Sequence, residues 1–359
     1  MNLAFLSNAN SLHLKEWAEY LARELRHQVT VFTIPAPRLA YEGVELVHIG
    51  NSLSSRKAAW FALIPRLRRE LRARAPEVFV AYRVVSYGFL AALSGYRPLV
   101  LAAQGGSLIW PPDDPFGQLC ARFAIGRADL CHAWSDNIRQ EYLRFGADDR
   151  RVLVCPRGID LELFPPVAER PGPPRIATTR ALLPSYNTIR VVEAMNYLRR
   201  RMPDAVCEIA GDGPERPRLE ERAADLRLNS NVRFVGQLSR TQIAALTSRA
   251  HVYCSMTVTD GLPLSHFEAM ATGAFPVVSD IEANRIWIRH GENGLLAPLD
   301  DPAALADFFE QALRDHGLRA RAAEYNRALI EREFDRDRNM RRIAEAYEQV
   351  ARRGQAAQV

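Results

Sequence analysis

Short apolar runs alternate with stretches of helical periodicity along the whole chain. Residues 3–6 and 29–32 are almost entirely apolar, as is typical of strands that are buried on both faces of a parallel sheet. Between these runs, apolar residues recur every three or four positions from residue 14 to residue 25. This order predicts a βαβ opening and therefore an α/β protein.

The alternation continues toward the C-terminus and is interrupted once. Residues 165–174 contain five prolines, a composition that predicts a stiff linker. We therefore expect one domain over residues 1–165 and a second over residues 175–335. A final amphipathic helix is predicted over residues 336–352. Further buried strands are predicted near residues 78–82, 99–102, 152–154, 206–210, 232–235, 252–254 and 276–278.

Composition agrees with a soluble protein of about two domains. The chain has 359 residues, of which 48% are hydrophobic and 25% charged. No apolar run approaches the ~20 residues that span a bilayer, and the N-terminus lacks the pattern of a signal peptide. The five cysteines are widely spaced and form no C-x-x-C pair, which argues against a disulfide framework or a zinc site. These features favour a cytoplasmic protein.

A modest positive charge is concentrated in the first half of the chain. The net charge is +5, and no nucleic-acid-binding motif accompanies it. Residues 56–76 form a basic, amphipathic segment. This segment could lie at the inner surface of a membrane, close to a lipid-linked acceptor. The alternative is an ordinary sheet-packing helix with a solvated face. We favour this alternative, because the apolar stripe is no wider than sheet packing requires.

The most informative stretch is residues 251–278. It predicts a strand, a glycine-containing turn, a helix that ends at Gly273, and a second strand. A helix that begins after such a turn presents free backbone N–H groups, which can bind an anion such as a diphosphate. Asp260 lies in the turn and Glu268 lies two helical turns beyond it. The stretch therefore combines an anion site with two acids.

Residues 260–278, D-G-L-P-L-S-H-F-E-A-M-A-T-G-A-F-P-V-V, resemble the E-x7-E signature of retaining glycosyltransferases of family four. The first acid is Asp260 where the family has Glu. The resemblance implies a GT-B fold, in which two Rossmann-like α/β domains face each other across a cleft. It also implies that the C-terminal helix crosses back onto the first domain.

The resemblance assigns roles to residues in this stretch. Glu268 is expected to accept hydrogen bonds from the ribose of a nucleotide sugar, and Asp260 is expected to hold the hydroxyl groups of its sugar. Ser265 is expected to reach a phosphate. Backbone amides around the turn are expected to assist Asp260. Within the turn, Gly261, Leu262 and Leu264 are expected to contact the donor.

Arg180 follows the predicted strand that opens the second domain, as a phosphate-binding Arg does in the family. The Lys that usually follows is absent, since Tyr186 and its neighbours occupy that region. Together with Asp260 and Glu268, Arg180 completes the predicted catalytic set. The G-D-G-P and V-x-F-V-G segments resemble the loops that flank the donor phosphates and the nucleobase. They add Gly211, Gly213, Val235 and Leu238 to the predicted donor site.

The first domain offers a less specific set of polar residues for an acceptor or a phosphate. Asn10, Ser11 and His13 lie in the loop after the first strand, where they can bind a sugar or simply cap the next helix. Gln104 and Gly105 follow a later strand. Gln104 occupies the position where the family usually has His, so that role is not carried over.

The resemblance implies metal-independent transfer of a sugar, with retention, from a nucleotide-diphosphate sugar to a sugar, lipid-linked or small-molecule acceptor. Such enzymes commonly build envelope polysaccharides and glycoconjugates. No cofactor beyond the co-substrate is expected. Residues 335–337 read D-R-D, like a metal-binding D-x-D motif, but they precede a helix rather than follow a strand. A nucleotide-sugar epimerase and a non-catalytic nucleotide-sugar-binding protein remain as alternatives.

Overall fold

The computed structural model describes residues 1–50, 61–104, 108 and 114–356. The chain divides into two compact units. Unit 1 comprises Met1–Arg157 and Asp337–Val359, and unit 2 comprises Gly158–Arg336.

Unit 1 is built on a parallel sheet. Within the described ranges the sheet has seven strands in the order β3-β2-β1-β4-β5-β6-β7. Every residue of β4 and β5 is buried, because helices cover both faces of the sheet at its centre. The strands are β1 (Asn2–Leu6), β2 (Gln28–Thr33), β3 (Val44–His48), β4 (Val78–Tyr82), β5 (Leu99–Ala103), β6 (Leu130–Ala133) and β7 (Val152–Val154).

The helices of unit 1 begin where the sequence supplies caps. The hydroxyl of Ser11 accepts from the Leu14 amide at the start of the first helix, and Asp114 accepts from the Phe116 amide at the start of the fourth. A short π-helical turn at Val84–Gly88 follows β4. The helices are α1 (Leu12–Arg23), α2 (Ile64–Arg74), α3 (Phe89–Ser94), α4 (Pro115–Arg127), α5 (Asp136–Arg144) and the C-terminal α13 (Arg336–Ala356).

The C-terminal helix α13 packs within unit 1. Its Tyr347 is fully buried, and the Tyr347 hydroxyl lies 2.8 Å from Nδ1 of His132 on β6. Nε2 of the same imidazole lies 2.7 Å from the carbonyl oxygen of Cys155. Burial lowers the pKa of His132 to about 4, so the imidazole is neutral at physiological pH.

Unit 2 repeats the same architecture. Within the described residues its sheet has six parallel strands in the order β10-β9-β8-β11-β12-β13. One large apolar cluster and one smaller cluster form its core. The strands are β8 (Arg175–Thr179), β9 (Val206–Ala210), β10 (Val232–Gly236), β11 (Val252–Ser255), β12 (Phe275–Ser279) and β13 (Leu295–Ala297).

Helices connect these strands and give each unit a Rossmann-like topology, which confirms the predicted α/β fold with two such domains. The helices of unit 2 are α6 (Thr188–Leu198), α7 (Arg216–Asp225), α8 (Arg240–Arg249), α9 (Leu264–Thr272), α10 (Glu282–Arg285), α11 (Pro302–Arg314) and α12 (His316–Glu333).

The division between the units lies upstream of the predicted linker. The Ile159 amide donates to the Phe334 carbonyl at 2.6 Å, and a β-bridge joins Ile159 to Asp335. These contacts tie the chain after Arg157 to unit 2. The proline-rich stretch lies along unit 2, where the Val167 amide donates to the carbonyl of Thr272 at 3.0 Å.

Part of the basic segment 56–76 lies outside the described residues, namely 56–60. In α2, the guanidinium of Arg66 donates to the carbonyl of His48, and that of Arg68 donates to the carbonyl of Ser94. Arg74 forms ion pairs with two carboxylates, on β3 and on α2 itself. These three arginines are therefore engaged by groups of the same unit. Within the described part of the chain, no helix is both long and apolar enough to cross a lipid bilayer.

Candidate functional site

Several predicted site residues of unit 2 meet at the carboxyl edge of its sheet. Arg180 follows β8 directly, Gly211 follows β9, and Asp260 lies in the loop after β11. Because parallel strands end at a common edge, these loops border the crevice in which such folds bind ligands.

Arg180 joins two of the predicted residues through one guanidinium group. Its Nη2 donates to Oδ2 of Asp260 at 2.6 Å, and its Nη1 donates to the hydroxyl oxygen of Ser265 at 2.9 Å. The side chains of Arg180 and Asp260 are only 12% and 14% exposed. The ring of Tyr186 lies against the guanidinium, 4.3 Å from its carbon to the ring centroid. The arginine is therefore held on three sides.

The charge of this pair is balanced within the site. Burial lowers the pKa of the Arg180 guanidinium, but the carboxylate of Asp260 and neighbouring tyrosines outweigh it, so the pKa is raised overall. A planar guanidinium can donate to several oxygens at once. Arg180 can therefore donate to a phosphate oxygen as well, if Asp260 gives up part of its hydrogen bonding to the guanidinium.

The helix α9 begins just after the Asp260 turn, and the turn uses some of its own amides. The Gly261 amide donates to Oδ1 of Asp260 at 2.8 Å, and the Leu264 amide donates to the carbonyl of Leu262 at 2.9 Å. Within the described residues, no acceptor pairs with the amides of Leu262 and Ser265. Leu262 and Ser265 therefore supply the N–H groups that remain for an anion at this end of the helix.

Glu268 is buried in the middle of α9 and pairs with a second arginine. The side chain is 7% exposed, and Oε1 accepts from Nη1 of Arg240 at the start of α8. The Arg240 guanidinium in turn lies 5.1 Å from the ring centroid of Phe164. The two acids of the predicted pair thus contact different arginines, Asp260 with Arg180 and Glu268 with Arg240.

The glycines of the G-D-G-P loop are required by close backbone contacts. A Cβ atom at Gly211 would lie 2.1 Å from the carbonyl oxygen of Arg180, and one at Gly213 would lie 2.4 Å from that of Leu182. The Leu182 amide donates to the carbonyl of Asp212 at 2.9 Å. The loop therefore packs its backbone directly against the segment that carries Arg180.

Val235 and Leu238 lie beside the smaller apolar cluster of unit 2, which includes Ala177, Ala210 and Tyr253. Both side chains are partly buried. This places them close to β8 and β9, next to the predicted phosphate loops.

Two buried aromatic side chains behind the Arg180 pair were not singled out by the sequence. Tyr253 on β11 and His266 on α9 have ring centroids 5.5 Å apart. Burial and the charge of Arg180 hold the pKa of His266 well below its ordinary value, so its imidazole is neutral. The Tyr253 hydroxyl lies 3.3 Å from that of Thr179. These buried groups pack beneath the Arg180–Asp260 pair, on the side that faces the interior of unit 2.

In unit 1, Asn10 and Ser11 have local structural roles. The Asn10 amide group donates to the carbonyl of Ala36 at 3.0 Å, and its Oδ1 accepts from the Arg38 amide at 2.6 Å. Ser11 caps α1, and His13 lies edge-on to the ring of Trp134 at 6.4 Å. An acceptor role for these residues stays a prediction.

Gln104 accepts a hydrogen bond from the Tyr82 hydroxyl, and the Tyr82 ring stacks on that of Trp134 at 6.0 Å. Gly105 lies outside the described residues. Gln104, His13 and Trp134 therefore share one aromatic-lined region of unit 1, at the carboxyl ends of β4 to β6.

The sequence missed Arg240, Tyr253 and His266, and it noted Tyr186 only as the replacement for a lysine. Arg240 carried no signal, because its partner Glu268 lies on another helix. Among the described residues, no cluster of three or more His, Cys, Asp or Glu side chains could hold a metal ion.

The chain matches two family descriptions. Residues 161–329 match "Glycosyl transferases group 1" and residues 11–163 match "Glycosyltransferase Family 4". A phosphatidyl-myo-inositol mannosyltransferase of Mycobacterium tuberculosis is 33% identical over 252 residues, which are 67% of this chain and 63% of that protein. The chain thus matches slightly less than two thirds of the length of this relative.

Solved structures show the same fold at low identity. The Anabaena protein HepE, crystallised with UDP, superimposes with a TM-score of 0.79 at 18% identity, covering 97% of this chain and 100% of that protein. Sucrose-phosphate synthase of Thermosynechococcus elongatus superimposes with a TM-score of 0.80 at 18% identity, covering 97% and 98%. With the two family matches and this fold, the chain belongs to the family 4 glycosyltransferases, which have the GT-B fold.

Proposed function

We propose that the chain is a retaining glycosyltransferase that moves a sugar from a nucleotide-diphosphate sugar to a sugar, glycolipid or other small acceptor. One observation carries this proposal: a single guanidinium, that of Arg180, bridges Asp260 and Ser265 at the carboxyl edge of the unit 2 sheet. A fixed cation beside a helix N-terminus stabilises the negative charge that develops on a departing diphosphate. The UDP complex of HepE and the name of the mannosyltransferase relative support a nucleotide-sugar donor and a glycosyltransferase activity.

The donor diphosphate would be held by Arg180, by the Ser265 hydroxyl and by the amides of Leu262 and Ser265. Asp260 would release part of its hold on Arg180 and accept hydrogen bonds from hydroxyl groups of the transferred sugar. Because Arg180 already has Tyr186 against one face, it needs little reorganisation to receive the phosphate.

Glu268 would accept hydrogen bonds from the ribose hydroxyl groups. An ionised carboxylate has several acceptor sites, so the oxygen atoms can serve both Arg240 and a ribose. The pairing with Arg240 fixes the orientation of Glu268 before the donor binds, which lowers the entropic cost of binding.

The reaction breaks the bond between the anomeric carbon and the diphosphate oxygen, and its electron pair leaves with the diphosphate. The acceptor oxygen then bonds to the same face of the sugar, and its proton passes to the departing phosphate oxygen. Configuration is retained, and no protein nucleophile or metal is needed. We infer a cytoplasmic role in envelope polysaccharide or glycoconjugate synthesis, with which the five free, buried cysteines agree.

The proposal is tested by incubating the full chain with a panel of nucleotide sugars and identifying products by mass spectrometry. Slow hydrolysis of one donor, and faster transfer once an acceptor is supplied, are expected. The anomeric coupling in the NMR spectrum of the product should show retention. An epimerised donor formed without an acceptor would instead indicate an epimerase. Binding without any turnover of the panel would indicate a non-catalytic binding protein.

Glu268→Gln should reduce kcat/KM for the donor by about tenfold to a hundredfold, mainly through KM. The amide has fewer acceptor sites than the carboxylate and leaves Arg240 without its charged partner. The matched control is Glu331→Gln, which makes the same change in an exposed ion pair with Arg327. Equal kinetics of the Glu268→Gln and control variants would contradict the assigned role.

A further inference from the structure

The opposite edge of the unit 2 sheet borders a second pocket, of about 560 Å³. Its lining includes His251, which immediately precedes β11, and Gly273, which lies just before β12. Because β8, β11 and β12 are parallel, this amino edge lies across the sheet from Arg180 and Asp260. The pocket is therefore separate from the proposed donor site.

The pocket is positively charged. Arg170, Arg319 and His316 line it, together with one carboxylate, that of the exposed Glu169. In the part of the chain that the structure describes, neither guanidinium has a carboxylate among its hydrogen-bond partners. This is unusual for a protein in which most of the other buried or half-buried arginines have an acidic partner.

Among the described residues, the hydrogen-bond acceptors of these two guanidinium groups are backbone carbonyls and, for Nη2 of Arg319, the Nδ1 atom of His316 at 2.9 Å. The Arg170 guanidinium donates to the carbonyls of Val167 and Thr272, at 2.9 and 2.6 Å. The Arg319 guanidinium donates to the carbonyls of Ala312 and Leu313, at the end of α11. A helix C-terminus offers about half a unit of negative charge, which is less than the two cations require.

The two guanidinium groups also repel each other. Burial, followed by the charge of Arg319, lowers the pKa of Arg170 to about 10. Burial likewise lowers the pKa of Arg319, and the Asp315 carboxylate opposes this shift only in part. Both groups remain cationic at neutral pH. An anion placed between them would relieve the repulsion.

His251 shapes the pocket and is not available as an anion ligand. Its Nδ1 accepts from the Arg175 amide at 3.1 Å, and its Nε2 donates to the carbonyl of Arg170 at 3.0 Å. The imidazole is thereby fixed as neutral, and it holds the backbone of Arg170 in place. By contrast, Nε of Arg170 is buried and has no hydrogen-bond partner among the described residues. Buried donors are normally hydrogen-bonded, so this N–H group is expected to have an acceptor when a ligand is bound.

We propose that this pocket binds a small phosphomonoester, with its phosphate on Arg319, Arg170 and His316. Arginine forks match the geometry of phosphate oxygens. The volume is within the range of sites for small organic ligands and is larger than inorganic phosphate alone requires. Apart from the two imidazoles, none of the described residues in the lining has an aromatic side chain on which a nucleobase could stack. The organic part is therefore a small polar group such as a sugar, rather than a nucleoside.

The test is isothermal titration of the full chain with glucose 6-phosphate, with glucose and inorganic phosphate as comparison ligands. Glucose 6-phosphate should bind more tightly than either comparison ligand. Arg319→Gln should weaken its binding by at least about tenfold, because one of the two guanidinium groups is removed. Arg332→Gln, the same change at an exposed site near the far end of α12, should leave it unaltered.

Two further variants separate the possible explanations. Ala320→Glu places a carboxylate at the pocket lining and keeps both arginines, so it should weaken binding by charge repulsion. It tests the pocket independently of any effect that Arg319→Gln has on the fold. Arg180→Gln should have no effect, because it alters the other edge of the sheet. The proposal is overturned if glucose 6-phosphate does not bind, if inorganic phosphate binds equally well, if the pocket variants bind like the native chain, or if Arg180→Gln alone abolishes binding.

Discussion

At the scale of single residues, the predicted site residues depart from the family pattern at three positions, and the structure gives each a defined contact. Asp260 is a methylene shorter than Glu but still reaches Arg180 at 2.6 Å. Tyr186, in the region of the usual lysine, places its ring against the same guanidinium. Gln104 accepts from the Tyr82 hydroxyl. An uncharged ring therefore occupies the region of the usual lysine, so Arg180 carries more of the proposed phosphate binding.

His132 provides a pH-dependent contribution to stability. In the folded chain its pKa is about 4, whereas an unfolded chain takes up the proton below about 6.5. The unfolded state therefore binds more protons between these values. The contribution is complete above the unfolded pKa and is lost as the pH falls toward 4, by on the order of 3 kcal/mol.

The expected result is a change in the effect of His132→Gln with pH. The substitution should lower the urea midpoint at about pH 7.5, because it disturbs the contacts with Tyr347 and Cys155. The difference in urea midpoint between the variant and the native chain should be smaller at about pH 5, where the native chain has lost much of the stability that neutral His132 contributes. His290→Gln, at an exposed imidazole, is the matched control. A deficit that is independent of pH would contradict a neutral, buried His132.

At the scale of elements, the loop after β9 depends on glycine. Gly211→Ala would bring a Cβ atom to 2.1 Å from the Arg180 carbonyl oxygen, so the backbone on both sides must move apart. Since that carbonyl belongs to the residue proposed to bind phosphate, the KM for the donor should rise by roughly tenfold, with a stability loss of about 1–3 kcal/mol.

Gly126→Ala is the control for this prediction. Gly126 lies in the last turn of α4, and a Cβ atom there would meet nothing within 4 Å. Alanine favours a helix over glycine by about 1 kcal/mol, so this variant should be as stable as the native chain or slightly more so. A native KM for Gly211→Ala would show that the loop does not set the position of Arg180.

Elements with local signals were predictable from the sequence, and contacts between distant elements were not. The strand before Arg180 and the turn and helix around Asp260 followed from apolar runs, glycine and proline, because these patterns act within a few residues. The pairing of Glu268 with Arg240 joins two helices and leaves no periodic trace. The amide of Gly261 was expected to face the donor, but it donates to its own neighbour Asp260.

At the scale of the whole molecule, the two-domain fold followed from the alternation of strands and helices, whereas the point of division did not. Proline content indicated a stiff segment at 165–174, and that segment lies within unit 2. After Arg157 the chain joins unit 2 through contacts such as the hydrogen bond between Ile159 and Phe334, which are far apart in sequence. Composition measures local stiffness and carries no information about such a contact.

The division has a consequence for fragments of the chain. Unit 2 contains both arginine–carboxylate pairs of the proposed donor site, as well as its own sheet and core. Residues 158–336, produced alone, should therefore fold and bind the donor nucleotide with an affinity within about tenfold of that of the full chain. Transfer to an acceptor should be absent, because the fragment lacks the predicted acceptor-side residues of unit 1. Circular dichroism and titration with the nucleotide check both expectations.

Residues 1–157 alone should not fold in the same way, because they lack α13. That helix supplies the buried Tyr347, Ile343 and Met340, and without it His132 loses the hydroxyl group at its Nδ1. Loss of several large buried side chains costs more than the usual stability of a domain of this size. Adding residues 337–359 through a short linker should restore a cooperative thermal transition. Cooperative folding of 1–157 without the helix would contradict the structural role assigned to α13. Failure of 158–336 to bind nucleotide would show that unit 2 does not form the proposed donor site on its own.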